Sequence, residues 1–145
     1  MFQSDSDRIC WKVHFASSPE SVFDALATDA GRASFWAESA PEKNGRVTFH
    51  FTDHPPVVGQ IVAKTRPTQF VIKYFGAVVE FSLLDDGSGG TDLTLISTGV
   101  PADERVEVIA GWASVLLAMK AAVDHGVDLR NHDASRSWQQ GYVDN

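Results

Sequence analysis

The pattern that most constrains this chain lies near its end. Between Asp103 and His125 the residues Val108, Ile109, Trp112, Val115, Leu116, Met119 and Val123 recur at helical spacing. Such spacing puts them on one side of a helix about six turns long. The preceding stretch, Gly45 to Thr98, consists of short runs of alternating apolar and polar residues, each broken by a Pro or Gly turn. Alternation of this kind marks strands with one buried face. A single long helix that follows antiparallel strands must lay its apolar side across their sheet. If the sheet curls around the helix, the space between them becomes a pocket. The expected class is α+β, a curved antiparallel sheet wrapped around one C-terminal helix.

A chain of 145 residues fits one domain and can bury a core without metals or disulfides. Its 12 Lys and Arg against 19 Asp and Glu leave a net charge of −7, a surface that repels phosphates and argues against a nucleic-acid partner. Cys10 is the only cysteine, so no intramolecular disulfide can form. The opening MFQSDSDR is polar and acidic, with no apolar core to make it a secretory signal, and residues 1–7 are expected to be flexible. The longest apolar stretches fall far short of a membrane span, and the expected setting is the cytoplasm.

Along the chain, Ile9, Trp11, Val13 and Phe15 alternate with Cys10, Lys12 and His14 as a first strand. Ser17-Ser18-Pro19-Glu20 then opens a helix, with a serine to cap it and Pro19 in its first turn. Val22, Phe23 and Leu26 form that helix's apolar face, and Asp29 to Gly31 is expected to end it. A second short helix is expected to carry Phe35 and Trp36. Strands follow over Val47–Phe51, Gly59–Thr65, Phe70–Tyr74, Val79–Leu83 and Leu93–Leu95, with turns between them. Asp103 and Glu104 suit the positive start of the last helix, and Gly126 suits its left-handed cap. Gly111 inside that helix costs about 1 kcal/mol relative to Ala, so close packing is expected there. The tail, 127–145, mixes Arg130 and Arg136 with Trp138 and Tyr142. Ring burial is expected to pin it to the domain with little dependence on salt.

The order of strand, two short helices, strands and long helix matches a helix-grip fold. Ser18-Pro19-Glu20-Ser21-Val22-Phe23-Asp24-Ala25-Leu26, followed by Phe35-Trp36, resembles the opening of START-like (SRPBCC, Bet v-type) domains. Gly111-Trp112 with Leu116 and Lys120 is similar to the C-terminal helix of one branch, related to activators of the heat-shock-protein-ninety ATPase. The segments Asp128–Asp133 and Gln140–Asn145 resemble tails of bacterial members of that branch. Tyr74 stands where many relatives carry a Trp near the end of that strand. The superfamily includes lipid carriers, hormone receptors, polyketide cyclases and co-chaperones, so the fold alone does not fix a function. The resemblance implies no cofactor, and a monomer or homodimer whose partner is a small hydrophobic molecule or a chaperone ATPase.

Trp36, Phe49, Phe51, Tyr74, Phe81, Trp112 and Met119 face the helix in this scheme, where they either line a cavity or fill the core. The resemblance implies the cavity, to which Leu116 adds a further wall, and Tyr74 is its natural polar handle. His125, Asp128, His132 and Asp133 lack metal-ligand spacing and are expected to pair with Arg130 and Arg136 and cap the helix. Ser114 lies on a helix rather than at a nucleophile elbow, and Cys10 reads as a packing or surface thiol. Glu80, Asp53 and His50 are the candidates for acid–base work, and solvated strand positions are their ordinary reading. Gly87-Ser88-Gly89-Gly90 precedes a strand, so it is a hairpin turn rather than a phosphate cradle. The leading expectation is non-catalytic binding of a lipid or an aromatic, polyketide-like molecule. The alternatives are a co-chaperone-like ATPase activator and a cyclase or hydrolase working in the same cavity.

Overall fold

The structure, a computed structural model, describes residues 7–145. Most of the N-terminal stretch expected to be flexible lies outside the described residues. The strands are β1 (Arg8–Phe15), β2 (Glu42–Lys43), β3 (Arg46–Phe49), β4 (Val57–Thr65), β5 (Gln69–Tyr74), β6 (Ala77–Asp85) and β7 (Thr91–Thr98). The helices are α1 (Pro19–Ala27), α2 (Asp29–Ala33) and α3 (Arg105–His125). All strands join one antiparallel sheet in the order β1-β7-β6-β5-β4-β3-β2, so the first strand closes against the last. This is the expected helix-grip arrangement: β2 to β7 form a meander, and α3 lies across its inner face.

Local chemistry sets the boundaries. The Ser18 hydroxyl accepts from the Ser21 N–H, and Pro19 opens α1, as the cap sequence requires. The break between α1 and α2 falls at Thr28, one residue before the expected stop. Its N–H and hydroxyl donate to the Asp24 carbonyl while its oxygen accepts from Gly31 N–H, so Thr28 ends one helix and caps the next. Gly31 sits inside α2 rather than ending α1. A Cβ there would lie 2.5 Å from the Ala25 carbonyl oxygen, so only glycine allows the two helices to approach. Phe35 and Trp36 lie just beyond α2, in the turn that follows it. Phe51 likewise lies past the end of β3, half-buried.

The core fills the space between the sheet, α1 and α3, with Phe15, Leu26, Phe49, Phe70, Phe81, Leu95 and Met119 fully buried. Arg32 is also fully buried, which its type did not suggest. Its guanidinium donates to the carbonyls of Ala40 (2.9 Å) and Leu26 (3.1 Å) and to Asp29 (2.6 Å), tying both short helices to the chain entering β2. At the other end of the molecule, Asp124 sits in the last turn of α3, where a carboxylate opposes the helix dipole. Backbone N–H groups of Ala16 and Ser17 and the Ser17 hydroxyl donate to it, which fastens α3 to the start of α1.

α3 begins after a short 3₁₀ turn at Ala102–Glu104 and ends at Gly126 with φ 64°, the left-handed cap expected there. The seven apolar residues anticipated on its inner side are buried or half-buried, but Val106 (82% exposed) and Leu117 (60%) point outward. Apolar residues therefore surround the helix rather than lying on one side. By length and composition alone, Ala102–His125 suffices to cross a membrane, with mean hydropathy 1.7. The expectation that no stretch approaches a span fails on this count. In the fold, Trp112, Leu116, Ala118 and Met119 place this helix against the sheet as a core element.

Candidate functional site: an aromatic cleft under the first half of the long helix

A cleft of about 430 Å³ opens between the sheet and the N-terminal half of α3, within the range of roughly 300–1,000 Å³ typical of small-molecule sites. Val79 and Ser97, register partners on β6 and β7, form its floor with Ala77. Val108, Gly111, Trp112 and Val115 form the helix wall, and Trp36, Phe51, Tyr74 and Phe75 the opposite side. Trp138, Gln139 and Asn145 from the tail complete the enclosure. Of the residues expected to bind a ligand, Trp36, Phe51, Tyr74 and Trp112 line the cleft. Phe49, Phe81, Leu116 and Met119 do not; each is enclosed in the core. Their rings and chains support the cleft instead, with Phe49 4.8 Å and Phe81 5.7 Å from Trp36 between ring centroids.

Trp36 is the hub of the site. Its ring packs on those of Tyr74 at 5.4 Å and Trp112 at 5.8 Å, both edge-on. The indole N–H is buried and makes no hydrogen bond of good geometry, and the Ser97 hydroxyl, fully buried on the inner face of β7, is equally unpaired. Buried polar groups are nearly always satisfied, so two orphans in the wall of one cleft are informative. Burial pushes the Tyr74 phenol well above its ordinary value, and the nearby Trp36 indole only partly offsets this. Tyr74 therefore stays protonated and neutral, able both to donate and to accept. At the rim, the two-residue turn Phe75–Gly76 has positive φ at both positions (50° and 77°), an unusual demand on a phenylalanine. Phe75 stacks edge-on to Tyr74 at 4.7 Å, half exposed at the mouth.

Gly111 does not sit where it does because of close helix–sheet packing. A Cβ there would meet only the Trp138 ring, at 4.0 Å, and would project into the cleft. The acid–base candidates lie elsewhere. Glu80 bonds Gln69 and Ser82 on the strand, Asp53 accepts from the Ser137 hydroxyl, and His50 is exposed. Glu38, Glu104 and Glu107 border the cleft instead, and periodicity gave no means of finding them.

The tail is docked mainly by polar contacts. The Arg130 guanidinium donates to the carbonyls of Ala33 and Ala37, both at 2.7 Å, and to Asp128. His132 lies between Glu38 and Asp128, 2.7 Å from each. Hydrogen bonds from Glu38 and then Asp128 raise its pKa. Burial opposes ionisation of Asp128, but the bonds from Arg130 and His132 outweigh it and hold that carboxyl far below the usual range. Asp133 pairs with Arg136, as expected. His132, Asp128 and Arg130 thus form an ion-paired clamp with Glu38, in which His125 takes no part, and Trp138 donates its indole N–H to Glu107 at 3.0 Å. Trp138 is half-buried against α3, whereas Tyr142 is 42% exposed.

Fold and cleft together define a helix-grip domain that holds an aromatic-lined cavity between its sheet and its last helix. The sequence over residues 16–124 matches the model of the activator of Hsp90 ATPase homolog 1-like proteins, and the chain belongs to that family. No curated protein sequence matches significantly. Solved structures share the fold. A conserved protein of unknown function from Enterococcus faecalis superposes with a TM-score of 0.76 at 17% identity, covering 98% of this chain and 86% of that one. The Aha1 dimer from Colwellia psychrerythraea gives 0.72 at 18%, covering 82% and 97%. DynU16, a putative protein in the dynemicin biosynthetic locus, gives 0.71 at 19%, covering 84% and 49%. At these identities the likeness is one of fold.

Proposed function

We propose that the protein binds a small hydrophobic molecule in the cleft beneath α3 and performs no chemistry on it. The observation that carries this reading is an aromatic-lined space of about 430 Å³ whose wall contains two buried, unpaired polar groups, Trp36 N–H and Ser97 hydroxyl. A cyclase or hydrolase would need an acid–base group directed at the apolar interior. Glu38 and Glu107 instead hold His132 and Trp138 in place, and Tyr74 is kept neutral. Family kinship to ATPase activators favours a second reading, a co-chaperone-like module, for which the outward Leu117 and Val106 offer an apolar contact. Stimulation of an Hsp90-type ATPase by the full chain, lost in Leu117→Asp, would favour that role.

Thermal shift against long-chain alcohols, sterols and aromatic polyketides tests the binding reading. At a hundred times its Kd a ligand adds about 2.7 kcal/mol to stability, a shift of several degrees for a domain of this size. Val79→Trp, which fills the floor, is expected to abolish the gain. If no compound raises the melting temperature, the reading fails.

A further inference from the structure

The cleft has a charged mouth as well as an apolar floor, and the two differ in a way that discriminates among ligands. Glu104 and Glu107 stand at its edge where α3 begins, and Glu38 stands opposite, after α2. Of the cations nearby, Arg130 and His132 are ion-paired, and His132 offsets the charge of Glu38, which leaves Glu104 and Glu107 as the negative rim. Arg130 bonds Asp128 and the carbonyls of Ala33 and Ala37, and His132 is held between Glu38 and Asp128. His54, also at the edge, is hydrogen-bonded to its neighbour's carbonyl at Pro55, and no lysine lines the cleft. The Glu104 side chain has no partner among the described residues. Behind this rim, the aromatic side chains of Trp36, Tyr74, Trp112 and Trp138 line the space.

Carboxylates at a mouth backed by aromatic faces suit an organic cation. The ammonium is attracted by the acids and by the ring quadrupoles, while its apolar body fills the cavity. The same rim opposes a ligand carboxylate, which would bring its charge against the glutamates with no free cation to meet it. The buried Ser97 hydroxyl, without a partner among the described residues, and the Trp36 N–H, which has only the Tyr74 phenol beside it, add unspent hydrogen-bonding capacity to the wall behind the rim.

Resting on the binding reading above, we infer that the ligand class is a hydrophobic amine, protonated at neutral pH, with its head between Glu104 and Glu107. A free fatty acid or other hydrophobic carboxylate is disfavoured.

Isothermal titration of the full chain at pH 7 tests this with three probes of one body and different heads: 1-naphthylmethylamine, 1-naphthalenemethanol and 1-naphthaleneacetate. The expected order is amine, then alcohol, then acid. The amine should bind roughly tenfold more tightly than the acid at low salt, and the gap should narrow as salt screens the rim. Glu104→Gln removes a charge that holds no other group, so the fold is retained. It should reduce the amine-to-alcohol affinity ratio severalfold. An acid that binds as tightly as the amine, or a ratio unchanged in Glu104→Gln and in the Glu104→Gln/Glu107→Gln double variant, overturns the amine assignment and leaves the binding reading standing. If none of the three binds while a sterol or long-chain alcohol does, the amine assignment falls and the binding reading stands; if nothing in either panel binds, both fall.

Discussion

An unpaired buried donor or acceptor costs about 1–3 kcal/mol, and this chain carries two in one wall, at Trp36 and Ser97. Gly111 adds a third residue whose choice works against stability. In the middle of α3 it forfeits about 1 kcal/mol relative to Ala, and nothing packs closely enough to require it. All three residues line the same cleft, so their combined cost is traceable to keeping that space open and polar in places. Gly111→Ala is therefore expected to stabilise the protein by up to about 1 kcal/mol in urea unfolding. The same substitution should weaken any ligand that uses the helix wall, because the added methyl projects into the cleft. A destabilised Gly111→Ala protein would show that the glycine serves packing instead.

At the level of elements, the seven inward residues of α3 were readable because helical periodicity survives any context, and Gly126 ends the helix as such a residue should. Within the tail the pairs of Arg130 with Asp128 and of Arg136 with Asp133 follow from closeness in sequence, but its contacts with distant segments leave no periodic trace. His132 meets Glu38 across 94 residues, and Arg130 reaches the carbonyls of Ala33, the last residue of α2, and of Ala37 beyond it. Asp124 was equally silent, although a carboxylate in a helix's last turn is a signal that some other element holds it. The His132 clamp has a pH consequence. Its pKa is raised in the folded chain by Glu38 and Asp128, so its contribution is fully present below the ordinary histidine value of 6.5 and fades as pH rises through the raised value. Amide hydrogen exchange over residues 128–136, corrected for intrinsic rates, should show more protection at pH 6 than at pH 9. His132→Gln should remove that difference, and an equal pH dependence in the variant would place its origin elsewhere.

For the molecule as a whole, the fold was legible and half of the site was. Trp36, Phe51, Tyr74 and Trp112 were identified because aromatic residues on an inner face either pack or line, and these four line. Phe49 and Phe81 on the sheet and Leu116 and Met119 on α3 are instead enclosed in the core. Which end of a sheet stays open depends on how a helix and a tail cross it, a relation between segments that no local pattern encodes. The cleft residues that no pattern assigned to a site, Val79, Ser97, Trp138 and the rim glutamates, come from five separate stretches of chain brought together by that crossing.

The most direct measurement of ligand binding in this cleft is the indole N–H region of a ¹⁵N-correlated spectrum during titration with 1-naphthalenemethanol. The chain has 4 tryptophans, so every side chain can be followed. Trp36, Trp112 and Trp138 line the cleft, whereas Trp11 lies outside it with its N–H bonded to the Ile109 carbonyl. Binding as described predicts saturable shifts at Trp36, Trp112 and Trp138, the largest at Trp36 as its unpaired N–H gains an acceptor, and a nearly stationary Trp11. A Trp36 signal that stays fixed while the others move, or no saturable shift at any indole, would contradict the account.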